Sequence, residues 1–151
     1  FGHSVSNWPA LGDTADSLRQ LQTRVKLFIL SNVDRESFAK SNTKLGVEFA
    51  DIYTAEDIGS YKPNPRNFVH MITKLKNDHG IKRTEILHTA QSLHHDLLQA
   101  EKHGLDTVWI DRQRLSKGGK WGATAEIKET VDPNFVFFSM SEMVNSFFNL
   151  D

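Results

Sequence analysis

Val25-Lys26-Leu27-Phe28-Ile29-Leu30-Ser31-Asn32-Val33-Asp34 is an apolar run that stops abruptly at a hydroxyl, an amide and a carboxylate. Its first six residues read as a continuous strand over Val25–Leu30, the pattern of a parallel sheet covered on both faces. Asp34 then opens a helix that continues to Leu45, with Phe38 inward and Gly46 suited to the left-handed C-terminal cap. About 30 residues on, Tyr61-Lys62-Pro63-Asn64-Pro65 follows a short strand at Ile52–Thr54. Two prolines stiffen that loop and delay the next helix, while Asn64 organises the turn.

The alternation continues in both directions. Asp13-Thr14 can cap a helix carrying Ala15, Leu18 and Leu21 on one face. After Lys62, a helix buries Phe68, Met71, Ile72 and Leu75. Ile86–Ala90 is a third strand, and Ser92 caps the helix that runs to Gly104. Thr107–Ile110 and Phe135–Phe138 are further strands, with Trp109 on the core side. Leu115–Thr130 is a glycine- and charge-rich loop anchored by Trp121, and Ser139 with Glu142 forms a capping box for the last helix. Short β-rich runs alternating with helical patterns define an α/β, Rossmann-like three-layer fold around a parallel sheet. In such sheets ligands bind beyond the carboxyl ends of the strands. Ser31, Lys62 and the Gln91–Asp96 segment all follow such ends, which makes them one candidate site.

Composition narrows the function classes. The 151 residues suffice for one domain with a real core. Lys+Arg number 18 against Asp+Glu 19, a balance that gives no electrostatic footprint for nucleic acid or an anionic membrane. No apolar stretch has the length of a membrane span, and cysteine is absent, so thiolate chemistry and cysteine–zinc sites are excluded. These features fit a cytoplasmic protein. The first residue is Phe1, and the expectation is a piece of a longer chain.

The stretches LSNVDRESF (30–38), YTAEDIGSYKPNPRNF (53–68), HTAQSLHHDLLQAEKHG (88–104) and TVWIDRQR (107–114) resemble the haloacid dehalogenase superfamily, closest to its type II branch. The resemblance implies an aspartate nucleophile on an N-terminal strand, attacking carbon in dehalogenases or phosphorus in phosphatases. It assigns Ser31 and Asn32 to the substrate's carboxylate or phosphate, with Ser92 a further candidate contact. Lys62 would orient the nucleophile and offset negative charge, and Asp96 would tether Lys62 or position water. The catalytic set it implies is Lys62, Asp96 and Ser31.

Two departures shape the reading. Magnesium-dependent members often read Gly-Asp-Ser-x-x-x-Asp, whereas this chain reads Ala90-Gln91-Ser92-Leu93-His94-His95-Asp96. A neutral amide is a poor magnesium ligand, so Gln91 disfavours Mg2+ and no cofactor is expected. That favours metal-free displacement on a small 2-halo carboxylic acid. The first motif has no counterpart: Asp13 and Asp16 lie in a helical pattern, and Asp34 and Asp51 lack the strand context. The expected partners are therefore a small anionic substrate and an upstream segment, or a companion chain, carrying the nucleophilic aspartate and most of the cap. No nucleic-acid or membrane partner is expected, and a homo-oligomer fits the resemblance. Residues 1–12 would be the end of the cap or its linker, and 13–151 the incomplete core.

Two other functions remain open: a non-catalytic module that binds an anion or a partner, and a magnesium-dependent phosphate-ester hydrolase. His88, His94, His95 and His103 cluster in sequence, but neighbours on a helix point about 100° apart, so His94 and His95 are poorly placed to share a metal. A histidine acting as acid or base near Asp96 is the more natural role.

Overall fold

A computed structural model describes residues 10–122 and 124–149. The first nine residues of the expected 1–12 linker lie outside the described residues. The described chain divides into two units, one built from residues up to Tyr61 together with those from Met140 onward, the other from Lys62–Ser139.

In the first unit, α1 (Thr14–Gln22), β1 (Phe28–Ser31), α2 (Arg35–Leu45), β2 (Asp51–Thr54) and the single turn α3 (Ala55–Ile58) are followed, at the chain's end, by α6 (Met140–Phe148). β1 and β2 pair in parallel, Ser31 opposite Thr54. The strand begins three residues later than the apolar run implies. The reason is local: the Val25 N–H still bonds the Leu21 carbonyl at 2.9 Å, closing the end of α1, and Val25 is left 52% exposed. Asp34 caps α2 as expected, its Oδ1 accepting from the Ser37 N–H at 2.7 Å, and Gly46 ends the helix at φ +60°. Asp13 departs from expectation. It makes no capping bond within α1; its Oδ2 accepts from the Met140 and Ser141 N–H groups at 2.8 and 3.2 Å, so it caps α6, 127 residues away. Phe38, Val47, Tyr53, Ile58, Met143 and Val144 form the buried apolar interior of this unit.

The second unit holds α4 (Pro65–His79), β3 (Leu87–Ala90), a π turn over Leu93–Leu97 that runs into α5 (Leu98–Lys102), β4 (Asp106–Ile110) and β5 (Phe135–Phe137). Pro65 sits at the start of α4, where a missing N–H costs nothing, and the Asn64 side chain accepts from the Arg66 N–H at 2.9 Å. Phe68, Met71 and Leu75 are buried on one face; Ile72 is half-buried. β3, β4 and β5 are parallel, with β4 in the middle. Thr107 to Ile110 are all buried, as a strand paired on both edges requires.

The expected parallel strands are all present, but they form two small sheets, β1-β2 and β3-β4-β5. Among the described residues β1 pairs only with β2, and β3 only with β4. All four residues of β1 are half-buried, short of the full burial that a strand inside a doubly covered sheet implies. No described helix is long and apolar enough to cross a membrane.

Candidate active site

Ser31 closes β1, and its hydroxyl makes no side-chain hydrogen bond among the described residues. Asn32 follows at the turn into α2. A hydroxyl at a strand end, uncommitted to a neighbouring side chain, is a suitable donor for an anion.

Lys62 begins the second unit, directly before a cis Lys62–Pro63 peptide bond. Its Nζ donates to Asp96 Oδ1 at 2.6 Å, and the two side chains are only 9% and 11% exposed. His88, from β3, contacts the same oxygen through Nε2 at 3.2 Å. Asp96 Oδ1 thus has two nitrogens within hydrogen-bond distance, one from the loop after β2 and α3 and one from a strand. Burial opposes its ionisation, yet the His88 hydrogen bond and the Lys62 ammonium outweigh that penalty and hold the carboxyl at about 2. At neutral pH Asp96 is a carboxylate, and its charge satisfies a lysine that would otherwise be costly to bury.

Local backbone geometry aims Asp96. The Ser92 carbonyl accepts from the N–H groups of both Asp96 (3.3 Å) and Leu97 (3.2 Å), widening the first turn after β3. Such π turns recur at functional sites because they redirect one side chain without ending the helix. Leu97, fully buried, packs with Leu93 and Trp109, and Ala90, Leu115, Trp121, Ile127 and Val131 close over that cluster. Trp121 therefore anchors the long loop, and the Trp109 indole N–H fixes the site's base by donating to the Gln91 carbonyl at 3.1 Å. Gln91 lies in the loop between β3 and the turn.

Ser92 serves as the helix cap: its Oγ accepts from the His95 N–H at 3.1 Å and lies 3.1 Å from His95 Nδ1. Burial and the neighbouring His94 push the His95 imidazole below its ordinary value, against the pull of Asp96, and the Lys62 charge adds to the effect. His94 and His95 meet edge to face, ring centroids 5.0 Å apart. Among the described residues no three His, Cys, Asp or Glu side chains gather as a metal cluster.

Of the residues singled out from sequence, Lys62, Ser92 and Asp96 lie in the second unit, and Lys62 and Asp96 are in direct contact; Ser31 and Asn32 lie in the first. His88 is the addition. The sequence places it in a histidine-rich stretch but gives it no partner, because its partner is eight residues away on another element. Its one signal is a single imidazole inside the β3 run Leu87-His88-Thr89-Ala90.

Comparison with known proteins bears on this arrangement. The family model described as haloacid dehalogenase-like hydrolase matches residues 3–110, well over half the chain. No curated protein sequence matches. Among solved structures, a dehalogenase described as an intermediate complex is 26% identical, with a TM-score of 0.72, over 89% of this chain and 55% of its own. The L-2-haloacid dehalogenase of Xanthobacter autotrophicus with chloropropionic acid covalently bound is 16% identical, with a TM-score of 0.75, over 99% and 65%. A HAD phosphatase from Thermococcus onnurineus is 23% identical, with a TM-score of 0.71, over 97% and 61%. The chain thus spans between half and two thirds of the length of these structures.

Proposed function

The chain belongs to the haloacid dehalogenase-like hydrolase family, and we propose that, joined by a segment carrying a nucleophilic aspartate, it displaces the leaving group of a small 2-substituted carboxylic acid. The carboxylate would attack C2, the carbon–halogen bond would break with its electron pair leaving on the halide, and water would then hydrolyse the ester to the 2-hydroxy acid. Ser31 and Asn32 hold the substrate's carboxylate, with Ser92 as a further contact. Lys62 orients the incoming aspartate and offsets its charge, and Asp96 holds Lys62 and positions water.

The observation that carries this reading is the buried Lys62–Asp96 pair, 2.6 Å apart. A buried ammonium favours the ionised form of a carboxylate placed beside it. The strand edges support an added segment. β1 and β3 each leave one edge without a strand among the described residues. A further strand along either edge would add backbone hydrogen bonds worth about 1 kcal/mol net each, and a domain's net stability is only about 5–15 kcal/mol, so such pairing would stabilise the fold appreciably.

The described residues do not fit magnesium. Asp96 Oδ1 already accepts from Lys62 and lies in contact with His88, and Gln91 is a neutral amide where a second carboxylate would serve. The likeness to a HAD phosphatase keeps one rival reading in view, magnesium-dependent hydrolysis of a phosphate ester. Halide release from 2-chloropropionate by the full-length protein in the presence of a chelator is the expected result. Magnesium-dependent turnover of p-nitrophenyl phosphate, with no halide release, would replace this reading with the rival.

A further inference from the structure

Two nitrogens converge on a single oxygen of Asp96, and that asymmetry has a use. Lys62 Nζ and His88 Nε2 both meet Oδ1, whereas Oδ2 accepts from no side chain or N–H among the described residues. An ionised carboxylate only accepts hydrogen bonds. His88 must therefore carry a proton on Nε2 for this contact to be attractive. With that proton elsewhere, a nitrogen lone pair would face a negative oxygen.

The imidazole is held in place by more than this bond. Its side chain is 11% exposed. The ring lies edge to face against Phe68, centroids 5.1 Å apart, and Phe68 is completely buried. Phe68 also stacks with His103 at 5.6 Å, and His103 is itself tied through Nδ1 to the Gln99 carbonyl at 2.7 Å. A strand residue, an α4 aromatic and the histidine that closes α5 thus fix the direction from which His88 approaches Asp96.

We propose that His88 is a positioning residue for the site: by donating its Nε2 proton to Asp96 Oδ1 it fixes the carboxylate plane, so that Lys62 is gripped by the same oxygen and Oδ2 is the lone-pair face presented to a water. This rests on the reading of Lys62 and Asp96 as the reacting end of the second unit. Lys62 alone would leave the carboxylate free to swing about the Lys62–Oδ1 contact. The second donor removes that freedom, and a misplacement of about 1 Å can cost about 100-fold in rate.

Two measurements on the full-length protein test the proposal. Long-range 1H–15N correlation of protein labelled in its histidine rings, with the His88 signal identified by its loss in His88→Gln, should show a proton on Nε2 that is no longer fixed there in Asp96→Ala. A neutral ring protonated at Nδ1 in the unaltered protein overturns the proposal, whatever the activity. Kinetics supply the second arm. His88→Phe keeps the ring against Phe68 and removes the donor, and should lower kcat about 10- to 100-fold with KM within about twofold. His88→Gln, which can place an N–H near the same point, should recover most of that loss. Equal impairment of both variants would show that the ring matters only for packing, and the proposal falls. Should the protein release no halide from any 2-haloacid while the Nε2 proton is found, the reaction assignment fails and the positioning role stands.

Discussion

β1 and β4 are both parallel strands of four or five residues in the same chain, yet they behave oppositely. β4 is paired on both edges and buried from Thr107 to Ile110. β1 is paired on one edge among the described residues and half-buried throughout, although its sequence is as apolar. The contrast extends to the polar side chains each unit offers near its strand ends. In the second unit Lys62, His88 and Asp96 are locked together; in the first, Ser31 ends its strand with a hydroxyl that bonds no described side chain. Burial tracks pairing, and pairing is what a further strand would add. Among the described residues, one unit holds a buried trio of polar side chains, and the other holds a half-buried strand paired on one edge.

The sharpest way to break that contrast is to remove one side chain from each unit of the full-length protein. Lys62→Ala leaves the buried Asp96 carboxylate without its cation and should cost about 3 kcal/mol in urea unfolding, whereas Ser31→Ala should cost under about 1 kcal/mol. Equal losses would mean that the buried ion pair is no more fixed than a half-buried hydroxyl. Next in size is the strand interior. Val108→Ala, at a fully buried position of β4, should cost about 2 kcal/mol. Ile29→Ala tests how β1 is buried: a loss matching Val108→Ala indicates that another segment covers β1, and a loss under about 1 kcal/mol indicates that nothing does.

Acid supplies a comparable but more gradual effect. Asp96 has its folded-state value lowered from 3.8 to about 2, so its contribution to stability is fully present above about pH 4 and is lost as the pH falls through 2. At 1.36 kcal/mol per unit this amounts to about 2 kcal/mol. Unfolding monitored between pH 5 and pH 2 should show the loss, and Asp96→Asn should flatten it. An unchanged slope in that variant would assign the acid sensitivity to other carboxylates.

Much of this architecture is legible in the residues. The caps Asp34, Gly46 and Asn64, the β2 strand, the helix after Pro65 and the β4 core announce themselves because each depends on neighbours within a few positions. The hidden features depend on distant partners. Asp13 reads as the cap of its own helix, but it serves α6 because chain folding brings Met140 to it. Val25 reads as strand, but the closing bond of α1 claims it. The widened turn at Leu93–Leu97 leaves no mark in a helical pattern, since it consists of a single backbone carbonyl accepting from two N–H groups. The Lys62–Asp96 contact is reached through a family pattern; His88, which shares it, depends on strand geometry that spacing alone does not express.

The proposed function has Lys62, held by Asp96, serving a carboxylate brought by another segment to displace halide from carbon. Halide release from 2-chloropropionate, measured with chelator present for the full-length protein and for Lys62→Ala, tests it most directly. Steady release by the unaltered protein is expected, with a loss of at least about 100-fold in a variant whose circular dichroism shows it still folded. Release that persists undiminished without the lysine would contradict it.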